Sequence, residues 1–488
     1  MRDVVLGVDS STQSTKVLAV DLETGVTLKE GRAPHSGEDI QHPHEWWAAL
    51  KQAVAGALQP DFRVRGIAVA GQQHGCVTLD RDGQPVRPAP LWNNVAAAPD
   101  AERLNSLADF ATEVGTRLVA SITIAKLAHL ARTAPEDLER TEAVCLPHDY
   151  LTFRLTGNLV TDRGEASGSG WWSPVQGRIR RDLLALAVGE RHAERLRLPE
   201  VLGPEQPAGT LSEAAAEELG LPAGIPVGPG TGDNMGSAVG IGAETGELII
   251  SLGTSGTAFA VSDHPTADRS GEVAGFADAT GRFLPLACML NCTRVFDVVA
   301  QLLGIERVEA LDRAGAVAPG ADGLLLVPYL AGERTPNLPN ATGAIFGITA
   351  RNLTPDVLLR AAVDGVAAGL AYCLQALNRQ GIDGPVVTLV GGGSAHPTWQ
   401  QAIADATGRP VVVREGGEHC ARGAATQIAA IVRGETVAAL ASQWRPKVIA
   451  EREPRPGARE AFALERRMEL FDVHLSREAG EGVVTPIR

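Results

Sequence analysis

Three turns in this chain place small or hydroxyl residues where an apolar run ends, so that backbone N–H groups are left over to grip phosphate oxygens. The first is Asp9-Ser10-Ser11-Thr12-Gln13-Ser14-Thr15-Lys16, directly after Val4-Val5-Leu6-Gly7-Val8. A carboxylate at such a strand end suits Mg²⁺ held through water, which makes Asp9 the candidate metal-associated acid. Thr12, Gln13, Ser14 and Lys16 are then the candidate phosphate contacts of that turn. The second turn spans residues 251–256 and centres on Gly253 and Thr254; the third spans 391–394 and includes Gly392, Gly393 and Ser394. Any one of them alone reads equally well as a tight hairpin or a strand-to-helix turn. Three in one chain point to nucleotide phosphates. No GxxxxGK[ST] loop occurs, and no GxGxxG follows the first strand, which disfavours a P-loop enzyme and a nicotinamide-dependent dehydrogenase.

A fourth segment, Val227-Gly228-Pro229-Gly230-Thr231-Gly232-Asp233-Asn234, brings an acid to a helix start through glycines. An alcohol that attacks a γ-phosphate needs its proton accepted and its oxygen aimed, and a carboxylate among small residues lets both substrates approach closely. Asp233 is the candidate base; the plainer alternative is a cap for the helix that follows. Gln72, Gln73 and His74, with Trp92 close behind, offer amide and ring groups that donate to and accept from a polyol.

The elements that must carry these residues follow from the apolar pattern. Residues 4–9 and 16–22 read as a strand, polar turn and returning strand, residues 46–58 as a helix, and 66–70 as a strand ending at Gly71. The same strand-turn-strand order returns at 247–261. Thr354-Pro355-Asp356 begins a long helix, with Thr354 as cap and Pro355 in its first position. Val386-Val387-Thr388-Leu389-Val390 is a buried strand delivering the third turn, and Pro397 starts the next helix. Residues 460–473 read as a final helix and 480–488 as a frayed tail. Two α/β lobes of like topology are expected, 1–244 and 245–488, the first with the acceptor pocket and base and the second with the nucleotide.

At 488 residues the chain is too long for one core, and an apolar share of 44% with 21% charged is that of an ordinary folded protein. The formal charge of -14 opposes nonspecific affinity for nucleic acid or an anionic membrane. The N-terminus carries two early charges and no apolar signal core, and no run of 18 apolar residues occurs, so a cytoplasmic location is expected. The six cysteines are dispersed, which predicts reduced and mostly buried thiols. A homodimer is the expected assembly for a soluble enzyme of this size.

Assembled in order, the motifs resemble the FGGY family of carbohydrate kinases and, within it, the xylulose kinases. They include GVDSSTQSTKVLAVD from Gly7, HPHEWW at 42–47, GQQHG at 71–75, LPHDYLTFRLTG at 146–157 and TDRGEASGSGWW at 161–172. GTGDNMGSAVGIG at 230–242, SLGTSGTAF at 251–259, PYLAGERTPN at 328–337 and LVGGGSAHPTWQQ at 389–401 complete the set. The resemblance implies two ribonuclease H-like lobes of the actin/hexokinase ATPase type with an interlobe active-site cleft, and ATP-dependent phosphorylation of D-xylulose at O5 with Mg²⁺. Carried over by position, it makes Asp233 the base, Asp9 the Mg²⁺-associated acid, and Gln73 with His74 the ketose contacts. Thr12, Gly253, Thr254, Gly392 and Gly393 would line the nucleotide site. Gln73-His74 replaces the Arg-Glu pair that glycerol kinases carry there. Two departures stand out: Asn94 and Val95 lie where the family has Asp and a nearby Arg, and His129 lies where it has Trp. Kinases of ribulose, gluconate, glycerol or another polyol, and a non-enzymatic actin-like nucleotide switch, remain as alternatives.

Overall fold

The computed structural model describes residues 1–458 and residue 469. The helix expected over 460–473, Glu469 apart, and the tail at 480–488 lie outside the described residues. The chain forms two compact units. One comprises residues 1–244, 261–284 and 418–446; the other comprises, of the described residues, 245–260, 285–417 and those from 447 onward.

The first unit opens with β1 (Arg2–Ser10), β2 (Ser14–Asp21) and β3 (Thr27–Pro34), an antiparallel meander whose Val4, Val5, Leu6, Val8, Val17 and Val20 are fully buried. Valines recur in β1 and β2 because both faces of these two strands are covered, whereas β3 is largely exposed. Helix α1 (Pro43–Ala57) begins three residues before the expected Trp46, because His42 and Glu45 form a reciprocal capping box and Pro43 takes the first helical position. Its Trp46, Leu50, Ala53 and Val54 pack on the sheet. Strand β4 (Phe62–Gly71) lies parallel to β1. Short strands β5 (Gly209–Thr210) and β6 (Pro226–Val227) extend the sheet to the order β5-β6-β4-β1-β2-β3, and β7 (Thr231–Gly232) also pairs with β4. Helix α2 (Asp233–Gly240) follows β7 without a break.

In the second unit β8 (Leu248–Leu252), β9 (Gly256–Ala260) and β10 (Phe283–Met289, paired through Leu286–Met289) form the corresponding antiparallel meander. Helices α3 (Thr293–Leu303) and α4 (Pro355–Arg379) follow, the latter capped by Thr354 with Pro355 in its first turn, as the sequence predicts. α4 is long and apolar enough by composition to cross a membrane, but 89% of its apolar window is buried inside the protein, which makes it a core helix. Strand β11 (Val387–Val390), helix α5 (Pro397–Thr407) and strand β12 (Val411–Arg414) come next. The chain then returns to the first unit as α6 (His419–Arg433) before β13 (Val448–Arg452) closes the second sheet. Six of that sheet's seven strands run β10-β9-β8-β11-β12-β13. Strand for strand it repeats the first: β11 is parallel to β8 as β4 is to β1, and β13 is antiparallel to β12 as β5 is to β6.

Helix α6 reaches its place because glycines remove the side chains that would hold it off. A Cβ on Gly7 of β1 would lie 2.0 Å from the Ala421 carbonyl oxygen, and one on Gly423 of α6 would lie 1.9 Å from the Gly236 oxygen in α2. This approach sets Glu418 and Cys420 beside the end of β1.

Candidate active site

Strand register builds the first unit's site. Along β4, Ala70 pairs with Asp9 on one side and Thr231 on the other, and Gly71 pairs with Ser10 and Gly232. Three segments distant in sequence therefore end on one level, and the next residues of each, Ser11-Thr12, Gln72-Gln73-His74 and Asp233-Asn234, emerge along one sheet edge. Parallel β4–β1 and β4–β7 pairing explains this, since parallel strands end at the same side.

Asp233 is the first residue of α2, and Gly232 occupies the N-cap position. Its Oδ1 accepts from the Asn234 backbone N–H and side-chain amide, both at 2.7 Å. Burial, reinforced by the neighbouring Asp9 charge, nevertheless pushes the Asp233 carboxyl up to about 7. A base in this range holds a substantial ionised fraction near neutrality while accepting a proton more readily than an exposed carboxylate does. Burial also raises Asp9, against the pull of Lys16, whose ammonium lies 3.8 Å from Asp9 Oδ2, and of Cys420, whose Sγ donates to Asp9 Oδ1 at 3.3 Å. Lys16 itself hydrogen-bonds Glu418. Cys420 and Glu418 carried no signal in the sequence, because only the fold of α6 brings them across 400 residues of chain.

The polyol candidates are held by a network of their own. Thr12 Oγ1 donates to Gln72 Oε1 at 3.0 Å and accepts from Trp92 Nε1 at 3.0 Å, so its hydroxyl is engaged on the Gln72–Trp92 side. Gln13 is exposed, and Ser14 is buried at the start of β2. Gln73 is 5% exposed, and its Nε2 has no protein partner. His74 is a non-glycine residue in left-handed conformation, φ 66°, with Nδ1 3.0 Å from the Gly168 carbonyl oxygen. A carbonyl only accepts, so Nδ1 carries the proton of that hydrogen bond. Gly168 has to be glycine here, since a Cβ would lie 2.5 Å from His74 Cε1.

Gly232 is constrained in the same way by two side chains that lie far apart in the sequence. A Cβ on it would meet Gln73 Cδ and Glu165 Oε1, each at 2.8 Å. Glu165 is fully buried within a charged cluster in which His148 Nδ1 lies 2.7 Å from Asp149 Oδ1 and Thr231 Oγ1 donates to Asp162 Oδ2 at 3.1 Å. Burial, with the charges of Asp149, Asp162 and Asp233 adding to it against His148, holds Glu165 well above the usual carboxylate range. Of the two sequence departures, Asn94 donates to Asp39 Oδ2 at 2.7 Å, which brings in a carboxylate from another segment. His129 pairs with Asp100, 3.1 Å away, alongside Arg132.

The second unit repeats the device. Gly253, Thr254 and Ser255 form the β8–β9 turn, and β11, parallel to β8, delivers Gly391 at its end. A Cβ on Gly393 would lie 3.0 Å from Leu252 Cβ and 3.1 Å from Thr293 Cγ2, so this turn, the β8 end and the start of α3 converge. Thr254 and Gly392 are exposed; Ser394 turns its hydroxyl inward onto the Gly391 carbonyl at 2.7 Å. Amides and a helix N-terminus gathered at parallel strand ends form a setting for phosphate without requiring a basic surface.

Sequence models of the N-terminal and C-terminal domains of the FGGY family of carbohydrate kinases match residues 4–240 and 248–431. A xylulose kinase of Streptomyces coelicolor is 44% identical over 452 residues, covering 90% of this chain and 90% of that protein. The chain belongs to the FGGY family of carbohydrate kinases. A xylulose kinase of Streptomyces rubiginosus is 43% identical over 450 residues, again with 90% of each chain covered. The crystal structure of xylulose kinase from Bifidobacterium adolescentis is similar with a TM-score of 0.82 and 36% identity, over 95% of this chain and 99% of that one. The kinase is thus a two-domain α/β enzyme that uses ATP as phosphoryl donor.

Among the described residues no group of three or more His, Cys, Asp or Glu side chains is arranged to hold a metal ion. Mg²⁺ does not need such a cage, because it is bound by one or two carboxylates with the remaining positions taken by water and substrate phosphates. The Asp9 carboxylate, a hard oxygen donor one residue before the end of β1, fits that chemistry.

Proposed function

We propose that this kinase transfers the γ-phosphoryl group of ATP to O5 of D-xylulose, with Asp233 as general base. The observation that carries the proposal is the common level of the β1, β4 and β7 ends, which sets Asp9, the Gln72-Gln73-His74 segment and Asp233 along one edge. Gln73, His74 and Trp92 would orient the sugar: the amide donates to hydroxyls, and the imidazole of His74 offers a ring nitrogen to one. Asp233 would take the proton of the attacking hydroxyl at its carboxylate as the oxygen moves in line with the γ-phosphorus. The Gly253-Thr254 and 391–394 turns of the second unit would hold the phosphates by backbone N–H groups. Mg²⁺ would sit by Asp9 through water and neutralise charge on the phosphate oxygens. The ketopentose choice is supported by the xylulose kinases that share 43–44% of their residues with this chain. The cytoplasm is the compartment we propose for it.

ADP release measured with MgATP against D-xylulose, L-ribulose, D-ribulose, gluconate and glycerol, with a no-sugar control, tests the acceptor. D-Xylulose should exceed every other acceptor in kcat/KM by at least tenfold; equal or better turnover of another one would replace it as substrate and point to the Asn94–Asp39 pair. The nucleotide site has its own test. A Cβ on Gly392 meets nothing within 4 Å, so Gly392→Leu leaves the fold intact and intrudes only on whatever occupies that open space. Its KM for ATP should rise at least tenfold with the KM for sugar unchanged; an unaltered KM for ATP would exclude this turn from the nucleotide site.

A further inference from the structure

Glu333 of the GERTP motif is linked through residues 290–293 to the Gly253-Thr254 turn. Glu333 is 1% exposed, and four donors converge on its carboxylate. Oε1 accepts from the backbone N–H groups of Leu290 at 2.6 Å and Arg334 at 2.7 Å. Oε2 accepts from Asn291, from its side chain at 3.0 Å and its backbone N–H at 3.4 Å. The two residues that follow Asn291 hold the β8–β9 turn. Cys292 N–H donates to the Thr254 carbonyl at 3.3 Å, and the Thr293 hydroxyl and N–H donate to the Gly253 carbonyl at 2.9 and 3.2 Å.

We propose that Glu333 is a positioning residue for phosphoryl transfer, fixing residues 290–293 against the Gly253-Thr254 turn and so setting where that turn holds the ATP phosphates. This rests on the reading of that turn as part of the nucleotide site. A buried carboxylate is an expensive way to hold a loop unless its acceptor capacity is used, and here both oxygens are used twice. No neutral side chain can replace it. Glutamine at this position keeps one accepting oxygen but turns an NH₂ group toward two donors, leaving buried N–H groups unpaired. The strain falls on residues 290–293, one step from the Gly253 and Thr254 carbonyls. Burial pushes the Glu333 carboxyl up to about 7, against the opposing pull of the Asn291, Arg334 and Leu290 donors.

Steady-state kinetics and calorimetric ATP binding on Glu333→Gln, Asn291→Ala and Gly392→Leu test this in the full-length protein. Glu333→Gln should raise the KM and Kd for ATP at least tenfold and lower kcat, while the KM for sugar stays within twofold and thermal unfolding remains cooperative. Asn291→Ala, which keeps the Leu290 and Arg334 bonds, should fall between it and the parent. Glu333→Gln with parental ATP affinity, or with both KM values unchanged and kcat lowered only in proportion to folded protein, would reduce Glu333 to a structural clamp and overturn the proposal. If Gly392→Leu weakens ATP and Glu333→Gln does not, the positioning role fails while the nucleotide site stands; if neither weakens it, the nucleotide reading itself has failed.

Discussion

Asp233→Asn protein is expected to lose roughly 10²–10⁴-fold in kcat, the usual contribution of a general base, and to be more stable than its parent at pH 8. Both effects come from one cause. The carboxylate sits where burial and the Asp9 charge oppose ionisation, so that it titrates at about 7 instead of 3.8. A group whose folded pKa is raised above its unfolded value contributes most to stability when protonated in both states, at low pH, and that contribution is lost as pH rises through the folded value. At pH 8 Asp233 is charged and the fold bears the whole cost. The gap would amount to on the order of 4 kcal/mol for a fully buried acid, and partial exposure of this one reduces the expectation to about 1–3 kcal/mol. Asparagine has the same shape, carries no charge, and keeps an oxygen for the Asn234 amides. The variant's melting temperature should therefore exceed the parent's at pH 8, and the difference should shrink toward pH 4. ATP affinity should be unchanged. A variant with near-parental turnover would remove Asp233 from the base role. One that loses both turnover and stability at pH 8 would show that the carboxylate supports the fold instead.

The parts of this architecture legible in the sequence are those with local causes. β-Branched runs buried on both faces mark β1, β8 and β11, and Thr354-Pro355 marks the start of α4, because each signal lies within a few residues of its effect. The start of α1 was displaced by a cap made with a histidine, a residue weaker as a capping signal than serine or aspartate. What the sequence could not disclose was set by distance along the chain. Cys420 touches Asp9 across a separation of 411 residues, and nothing around 418–446 marks a return to the first unit. The site shows the same division. Asp9 and Asp233 stood out because strand ends and glycines frame them, whereas Glu165 and Glu333 sit in motifs whose local context gives no hint of what they face. Asn94 read as the loss of a carboxylate; the fold places Asp39 beside it, supplied by a segment 55 residues earlier.

The acid limb of the pH profile should be governed by Asp233. With ATP saturating, kcat/KM for the sugar reports the base of the ATP-bound, sugar-free protein, so it should fall tenfold per pH unit below about 7 and level off above it. An exposed aspartate would place that break near 4, about three units lower, which makes the two cases differ by roughly 10²-fold or more in relative rate at pH 5. Other groups titrate nearby. Glu165 lies within the same charged region and is held above the usual range by burial, so the apparent midpoint belongs to a coupled set. The variants separate their contributions. Glu165→Gln removes a neighbour that, when ionised, would disfavour the Asp233 charge; it should shift the limb downward or leave it in place, never abolish it. Asp233→Asn should abolish the limb and leave a low, pH-independent residual rate. A limb that persists in Asp233→Asn would assign the proton acceptor to another group, and His74, an imidazole at the same edge, would be the next residue to substitute. A parent profile flat from pH 5 to pH 9 would mean that the base of the sugar-free protein is already ionised at pH 5, and it would overturn the raised Asp233 carboxyl.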